Sequence, residues 1–345
     1  MNTINHPWLT VVMPVYNGEN YLEFALQSIL SQPVDGIEIV AVDGGSSDQT
    51  IKIFESYAGR LPLRLFVCEH LENWVAKTNH GLSQARGDFV CFLHHDDLWL
   101  KDRLVTLRTL VTMAPHVTMF LHSSWFIDPA GRRVGTWRCP LPGDAELGPD
   151  LVIERLLVQN FISMPAPLFS RQAALRAGGL DEGLWYTADW DFWLKMAAAG
   201  STFYHPRPLS AFRIHPQAQT MQGSSHVLEF RRQQEIVLDR HFGAGGPARA
   251  GNSLGQRVAR FSIDLNTGLA AFVHGRESNP SGLFSRFLRL GPAGWHRYLR
   301  DSRIVERTLP RYRIGLARPE RAISRCTAGP RSVQPSNSSG ADSHS

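Results

Sequence analysis

Residues 89–99 are FVCFLHHDDLW, an apolar run from Phe89 to Leu93 that stops at His94-His95-Asp96-Asp97. Five apolar residues with aromatic and β-branched members suit a buried strand. Two neighbouring carboxylates at its end are expensive in a low dielectric unless something positive meets them. A hard divalent cation sharing diphosphate oxygens would do so. The alternative is an aspartate N-cap for a helix from Leu100 to Met113.

Upstream of this strand the chain repeats one pattern. Leu9 to Val15 is apolar, Tyr21 to Ser31 has helical periodicity, and Ile37 to Val42 is apolar again. Leu63 to Cys68, the helical stretch Val75 to Ala85, and Phe89 to Leu93 repeat it. Short buried strands separated by helices predict a mostly parallel sheet covered on both faces. Ligands of such sheets gather at the carboxyl ends of the strands. Three polar clusters fall there: Pro14-Val15-Tyr16-Asn17, Asp43-Gly44-Gly45-Ser46 and His94 to Asp97. Their convergence predicts a nucleotide or metal site.

Beyond residue 115 the pattern is mixed. Val117 to Ile127 and Arg133-Val134-Gly135, joined by Asp128-Pro129-Ala130-Gly131, predict a hairpin. Residues 136–149 suggest a surface loop, and 150–159 and 171–177 suggest helices, the latter stopped by Gly178-Gly179. A helix from Asp189 to Ala199 and short strands Thr202 to His205 and Leu209 to Ile214 follow. From about Val227 to Arg325 the sequence is basic and mainly helical, broken at 243–251 and 275–282. Residues 327–345, rich in Ser, Gly and Pro, are expected to be disordered.

Composition excludes several classes. In 345 residues, 43% are hydrophobic and 19% charged, as in ordinary globular proteins. No apolar stretch reaches the roughly 18 residues of a spanning helix, and the first residues lack a secretory pattern, so a cytoplasmic protein is expected. Four scattered cysteines form neither a disulfide framework nor a CxxC metal site. The net charge of +5 conceals an asymmetry: residues 1–224 carry 17 Lys and Arg against 22 Asp and Glu, and residues 225–345 carry 19 against 9. The halves should have different partners.

Four segments in order, 10–32 (TVVMPVYNGENYLEFALQSILSQ), 37–50 (IEIVAVDGGSSDQT), 79–99 (NHGLSQARGDFVCFLHHDDLW) and 188–200 (ADWDFWLKMAAAG), resemble the glycosyltransferase family 2 enzymes. The resemblance spans about residues 8–220. It implies a GT-A fold, an α/β Rossmann-like sheet flanked by helices, over residues 1–224: nucleotide-sugar binding in 1–115 and the acceptor side in 116–224. A helical, basic extension would occupy 225–326.

By the same resemblance, Asp43 matches the carboxylate that contacts the nucleoside base, and Pro14, Tyr16 and Asn17 match the segment flanking base and ribose. As an alternative, Asp43 is an Asx-turn residue. Asp96 and Asp97 match the last two acids of a DxD-type motif, Asp97 for direct Mn²⁺ or Mg²⁺ coordination and Asp96 for ribose or metal contacts; His94 replaces the first acid. Asp189 matches the catalytic base, and its usual acidic neighbour is Ala188 here. Asp191 is expected to position the site or cap the helix. His215 is a candidate third metal ligand, and Arg86 a base or diphosphate contact or a helix-end charge. Trp185, Trp190 and Trp193 surround the expected base, as sugar-stacking platform or as core.

The implied reaction is inverting, metal-assisted transfer of a sugar from a nucleotide-diphospho-sugar to a glycan acceptor in bacterial cell-surface polysaccharide synthesis. Polyprenyl-linked acceptors of bacterial relatives make a lipid carrier the leading expectation. Residues 283–299 (LFSRFLRLGPAGWHRYL) would then lie against the inner membrane, or else form a core-packing helix pair. A protein or small-molecule acceptor, and a catalytically weak nucleotide-sugar-binding protein, are the alternatives. No nucleic-acid motif accompanies the charge.

Overall fold

The computed structural model describes residues 6–218, 223–242 and 253–316. The glycine-rich break at 243–251 and the expected disordered tail lie outside the described residues. The first half alternates β1 (Leu9–Val15), α1 (Leu22–Leu30), β2 (Ile37–Asp43), α2 (Thr50–Tyr57), β3 (Leu63–Val67), α3 (Trp74–Gln84) and β4 (Phe89–Phe92). Then come β5 (Leu98–Trp99), α4 (Arg103–Met113), β6 (Met119–Ile127), β7 (Arg133–Trp137), β8 (Ala145–Leu147), α5 (Pro149–Leu156), β9 (Leu168–Ser170), α6 (Arg171–Arg176), α7 (Ala188–Ala199) and β10 (Thr202–Arg213). The extension supplies α8 (Val227–Phe242), α9 (Ser253–Val273), α10 (Pro280–Arg289), α11 (Gly291–Ser302) and α12 (Ile304–Leu316).

The strands form a ten-stranded sheet in the order β3-β2-β1-β4-β9-β6-β10-β5, with β7 beside β6 and β8 beside β10. From β3 to β4 every pairing is parallel. Past β4 the sheet is mixed: β9 runs antiparallel to β4 and β6, whereas β10 is parallel to β6. Every residue of β1 and β2 is buried, as expected when helices cover both faces. Alternation in β1 sends Leu9, Val11, Met13 and Val15 into a core with α1, α2 and α4, and Val12 into the opposite core with α3, α5 and α7. Val237 and Leu238 of α8 and Ala259 and Ile263 of α9 join that second core, so the extension packs against the body of the sheet.

Three local expectations change. Asp97 does not cap a helix, because Leu98 and Trp99 pair with β10 and α4 starts only at Arg103. Residues 136–149 are not a plain surface loop: Cys139, Leu141 and Leu147 are buried, and β8 lies in the segment. The two short strands at 202–214 are one strand, β10, whose register shifts around Pro208. Prolines 206 and 208 cannot donate ladder hydrogen bonds, which is why the sequence appears broken there.

Candidate active site

The carboxyl ends of β1 and β4, the end of β10 and the start of α7 border one cleft of about 770 Å³. Pro14, Tyr16 and Asn17 reach it from β1, His94 to Asp97 from β4, His215 from just past β10, and Asp189 from α7.

Two loops are laced together beneath the first group. Asn17, at φ 47°, accepts the Ser47 N–H through its side chain at 2.9 Å and donates its own N–H to Ser46 Oγ at 2.8 Å. Gly18 N donates to Thr50 Oγ1 at 2.7 Å, and Glu19 N to Asp48 Oδ2 at 3.0 Å. Asp43 belongs to this lacing. It is fully buried and accepts from Gly45 N, Ser46 N and the Ser46 hydroxyl, so its carboxylate holds the turn and does not line the cleft. The Asx-turn description fits it, in place of an open base contact.

The acidic pair is held from β10. Asp97, 1% exposed, accepts the Arg213 backbone N–H at 3.0 Å, and the Arg213 Nε donates to the Asp96 carbonyl at 2.8 Å. The same guanidinium donates to the carbonyls of Asp128 and Pro129 and lies over the Tyr21 ring. Arg213 is therefore a brace between the β4 end and the β6–β7 hairpin. His215 Nε2 lies 2.9 Å from Asp96 Oδ2, and its ring packs on Tyr21.

These contacts divide the two carboxyls electrostatically. Burial opposes charge on Asp96, but the His215 hydrogen bond and the neighbouring His95 and His94 outweigh it and hold this carboxyl well below the usual range. Burial, followed by the Asp96 charge, drives Asp97 well above it. A cation beside Asp97 would remove that frustration. Among the described residues no three His, Cys, Asp or Glu side chains form a ready-made ligand cluster. The protein thus offers Asp97 and the Asp96–His215 pair, a partial set of the kind that a hard cation completes with phosphate oxygens and water.

Asp189 sits at the start of α7. Its Oδ2 accepts from Asn160 Nδ2 at 2.9 Å and its Oδ1 from the Trp190 N–H at 2.8 Å. Burial pushes its carboxyl up to about 6 despite both bonds, near the value that suits a general base at neutral pH.

Two expected site residues lie elsewhere. Arg86 precedes β4, so it sits at the amino edge of the sheet, a strand's length from the cleft, where its backbone N–H donates to Glu38. Asp191 is fully buried and turned away from the cleft; Lys195, Arg240 and His241 all reach its carboxylate. Its place two residues from Asp189 puts it on a different helix face. Of the three tryptophans, Trp190 and Trp193 are core and Trp185 lines the cleft.

Several lining residues were not singled out in the sequence. Lys77, 4% exposed, donates to the Leu71 and Glu72 carbonyls and lies over the Tyr16 ring; burial lowers its pKa against the pull of Asp43. Trp74 packs edge-on to His94 and donates its indole N–H to the Trp185 carbonyl at 2.7 Å, joining the two sides of the cleft. Both follow β3, and the rule that ligands collect past strand ends would have pointed to them. Trp137, Tyr186 and Phe212 complete the far wall.

The comparisons with known proteins agree with this geometry. The model of "Glycosyl transferase family 2" matches residues 10–116. An uncharacterized glycosyltransferase of Rickettsia typhi is 26% identical over 65% of this chain and 69% of its own length. An uncharacterized protein of Mycobacterium tuberculosis is 32% identical over 68% of this chain and 73% of its own. Among solved structures, residues 1–349 of Staphylococcus aureus TarS with UDP-GlcNAc superpose with a TM-score of 0.52 at 18% identity, covering 89% of this chain and 92% of that one. The mannosyltransferase PcManGT of Pyrobaculum calidifontis, in complex with GDP-Man and Mn²⁺, gives 0.54 at 17% identity over 91% and 88%. The structural likenesses establish the GT-A fold, and with the sequence relatives they show that the chain belongs to glycosyltransferase family 2 and is a glycosyltransferase.

Proposed function

We propose that the protein transfers a sugar, with inversion, from a nucleotide-diphospho-sugar to a glycan acceptor, and that Asp189 is the base. The observation that carries this reading is the presence in one cleft of a carboxyl raised to about 6 together with Asp97 and the Asp96–His215 pair. Asp189 takes the proton from the attacking acceptor hydroxyl as that oxygen forms a bond to the anomeric carbon and the bond to the diphosphate breaks. Asn160 and the Trp190 N–H fix the carboxylate's direction.

The nucleotide lies along Pro14, Tyr16 and Asn17, with Lys77 and the Asp43 turn behind them. Asp97, with Asp96 and His215 beside it, would hold a Mn²⁺ or Mg²⁺ ion, which when bound neutralises charge on the departing diphosphate. Relatives in fold bind UDP-GlcNAc and GDP-Man, the second with Mn²⁺, in support of a donor of this class. A lipid-linked acceptor in cell-surface polysaccharide synthesis, reached from the cytoplasmic side of the membrane, fits the exposed apolar residues Phe272, Val273, Phe284 and Leu288 of the basic extension. No described helix is long and apolar enough to cross a membrane.

A thermal-shift panel of UDP-, GDP- and dTDP-sugars with and without Mn²⁺, run on the wild type and Asp97→Ala, tests the donor site. A ligand at about 100 times its dissociation constant adds roughly 2.7 kcal/mol. Metal-dependent stabilisation by one donor class, lost in the variant, is expected; no shift with any donor would sink the reading.

A further inference from the structure

Large apolar side chains stand exposed unevenly along this chain. Of fifteen among the described residues, nine belong to 227–316, and four of these, Phe272, Val273, Phe284 and Leu288, stand on the consecutive helices α9 and α10. Exposed apolar residues scattered singly are ordinary, whereas a group of them rimmed by charge marks a binding surface.

Helix α10 brings them together. Its start is well made: the Asn279 side chain accepts from the Gly282 N–H at 2.8 Å and Pro280 occupies the first turn, yet none of its ten residues is buried. Leu283 and Phe287, four apart, form its inward stripe. A Cβ on Gly268 of α9 would lie 2.7 Å from Leu283 Cδ1, and the Phe287 ring centre lies 5.6 Å from that of Phe261 and 5.8 Å from that of Trp295. Phe284 and Leu288 each follow an inward residue by one place, about 100° round the helix. They form a second apolar stripe, which is left to solvent. Phe272 stands one turn past Gly268 on the face of α9 that receives Leu283, so it extends the apolar surface across the junction.

The charge on this face has one sign. Between Phe272 and Arg300 five arginines meet one acid, Glu277. Arg276 and Arg289 are exposed, and among the described residues neither pairs with a carboxylate; Arg289 donates to the Ser285 hydroxyl. Acids contributed from outside this stretch are shared. Asp264 serves both Arg231 and Arg286, and Asp301 serves Arg155, Arg297 and Arg300, so these ion pairs leave a cationic surplus.

This combination selects among occupants. A second copy docked about a two-fold axis would set arginine against arginine. A soluble polyanion would leave Phe272, Phe284 and Leu288 in water. An anionic bilayer satisfies both features, because lipid phosphates meet the guanidiniums while the apolar side chains enter the acyl boundary.

We propose that α10 and the end of α9 form a docking face for an anionic lipid bilayer. Phe272, Phe284 and Leu288 enter the boundary between headgroups and acyl chains, and Arg276 and Arg289 hold lipid phosphates. The face serves the proposed transfer to a lipid-linked acceptor, on which reading it rests.

Flotation of the full chain on phosphatidylcholine vesicles, with and without phosphatidylglycerol, tests it. The proteins are the wild type, the double variant Phe284→Ser with Leu288→Ser, the double variant Arg276→Gln with Arg289→Gln, Phe284→Trp, and Met113→Ser as an exposed apolar control on α4. The wild type should bind the anionic vesicles in preference to the neutral ones. Binding should weaken about tenfold or more in the serine pair, and about fivefold for each arginine removed. Phe284→Trp should retain it, since indole rings favour the interface, and Met113→Ser should match the wild type.

No vesicle binding by the wild type, equal binding to neutral vesicles, or undiminished binding by either double variant would overturn the face. So would a wild type that is dimeric on a sizing column while the serine pair is monomeric, which would assign the surface to a second copy. Should the serine pair fail to fold, the arginine pair and the dependence on phosphatidylglycerol decide. Vesicle binding by a wild type that shows no nucleotide-sugar thermal shift would keep the face and defeat the donor reading alone; the reverse result would defeat the face alone.

Discussion

Replacing Asp189 by Asn should abolish turnover and make the protein more stable. The carboxyl is pushed from 3.8 up to about 6 by burial, so the native state disfavours its charge relative to the unfolded chain. At ~1.4 kcal/mol per pH unit the gap corresponds to about 3 kcal/mol. Partial solvent access and the altered hydrogen bonds of an amide reduce the expected gain to about 1–3 kcal/mol. Between pH 4 and 6 the native state binds more protons than the unfolded one, so wild-type stability falls as pH rises through that window. The Asn variant does not titrate there. Its advantage should be full above about pH 7 and vanish near pH 4. Urea unfolding of both proteins across this range measures it, with a Tm rise of a few degrees at neutral pH as a second reading. A variant no more stable than wild type at pH 7.5, or one whose difference is independent of pH, would refute the claim that Asp189 is held as a strained, buried base.

Three further outcomes are expected. Asn160→Ala removes a donor from the charged form of Asp189 and should raise its pKa, moving the acidic limb of the kcat/KM profile upward by about one pH unit. Asp191→Ala leaves Lys195, Arg240 and His241 without their shared carboxylate and should cost about 3–5 kcal/mol in urea unfolding, while the kcat of the folded fraction is retained. Gly135→Val places side-chain atoms where Pro310 packs and should destabilise by about 1–3 kcal/mol, with earlier proteolytic cleavage within residues 304–316 as the local reading.

What could be read from the sequence followed the length scale of the forces involved. The strands β1, β2 and β4 were legible because burial on both faces leaves an uninterrupted apolar run. Asp96 and Asp97 fall at the end of β4 where the strand pattern placed them, whereas Asp189, singled out by the resemblance to the family's motif, lies at the start of α7 and lines the same cleft. Arg86 and Asp191 were misplaced for the complementary reason. Which edge of the sheet a loop residue occupies, and which face of a helix turns to the cleft, depends on packing partners distant in the chain. The Asp191 carboxylate is claimed by Arg240 and His241 from α8, and no local pattern announces that. β10 was divided in two because its prolines interrupt the ladder while β6 continues to pair with it on either side.

The same contrast separates the two poles of the cleft. One side of the cleft is built from turns that immediately follow β1, β2 and β4, the β2 turn closed locally by Asp43 to Ser46 and joined to the β1 loop by Asn17 to Ser47. The cleft wall at Tyr186 is assembled differently: its N–H is held by Gln233 at 2.9 Å and its ring packs on Phe230 of α8 at 4.6 Å between centres. A Cβ on Gly223 would come within 2.6 Å of Trp185 and Tyr186, so the segment leading into α8 is pressed directly against this wall. The wall at Trp185 and Tyr186 is therefore backed by α8 of the extension and the segment leading into it.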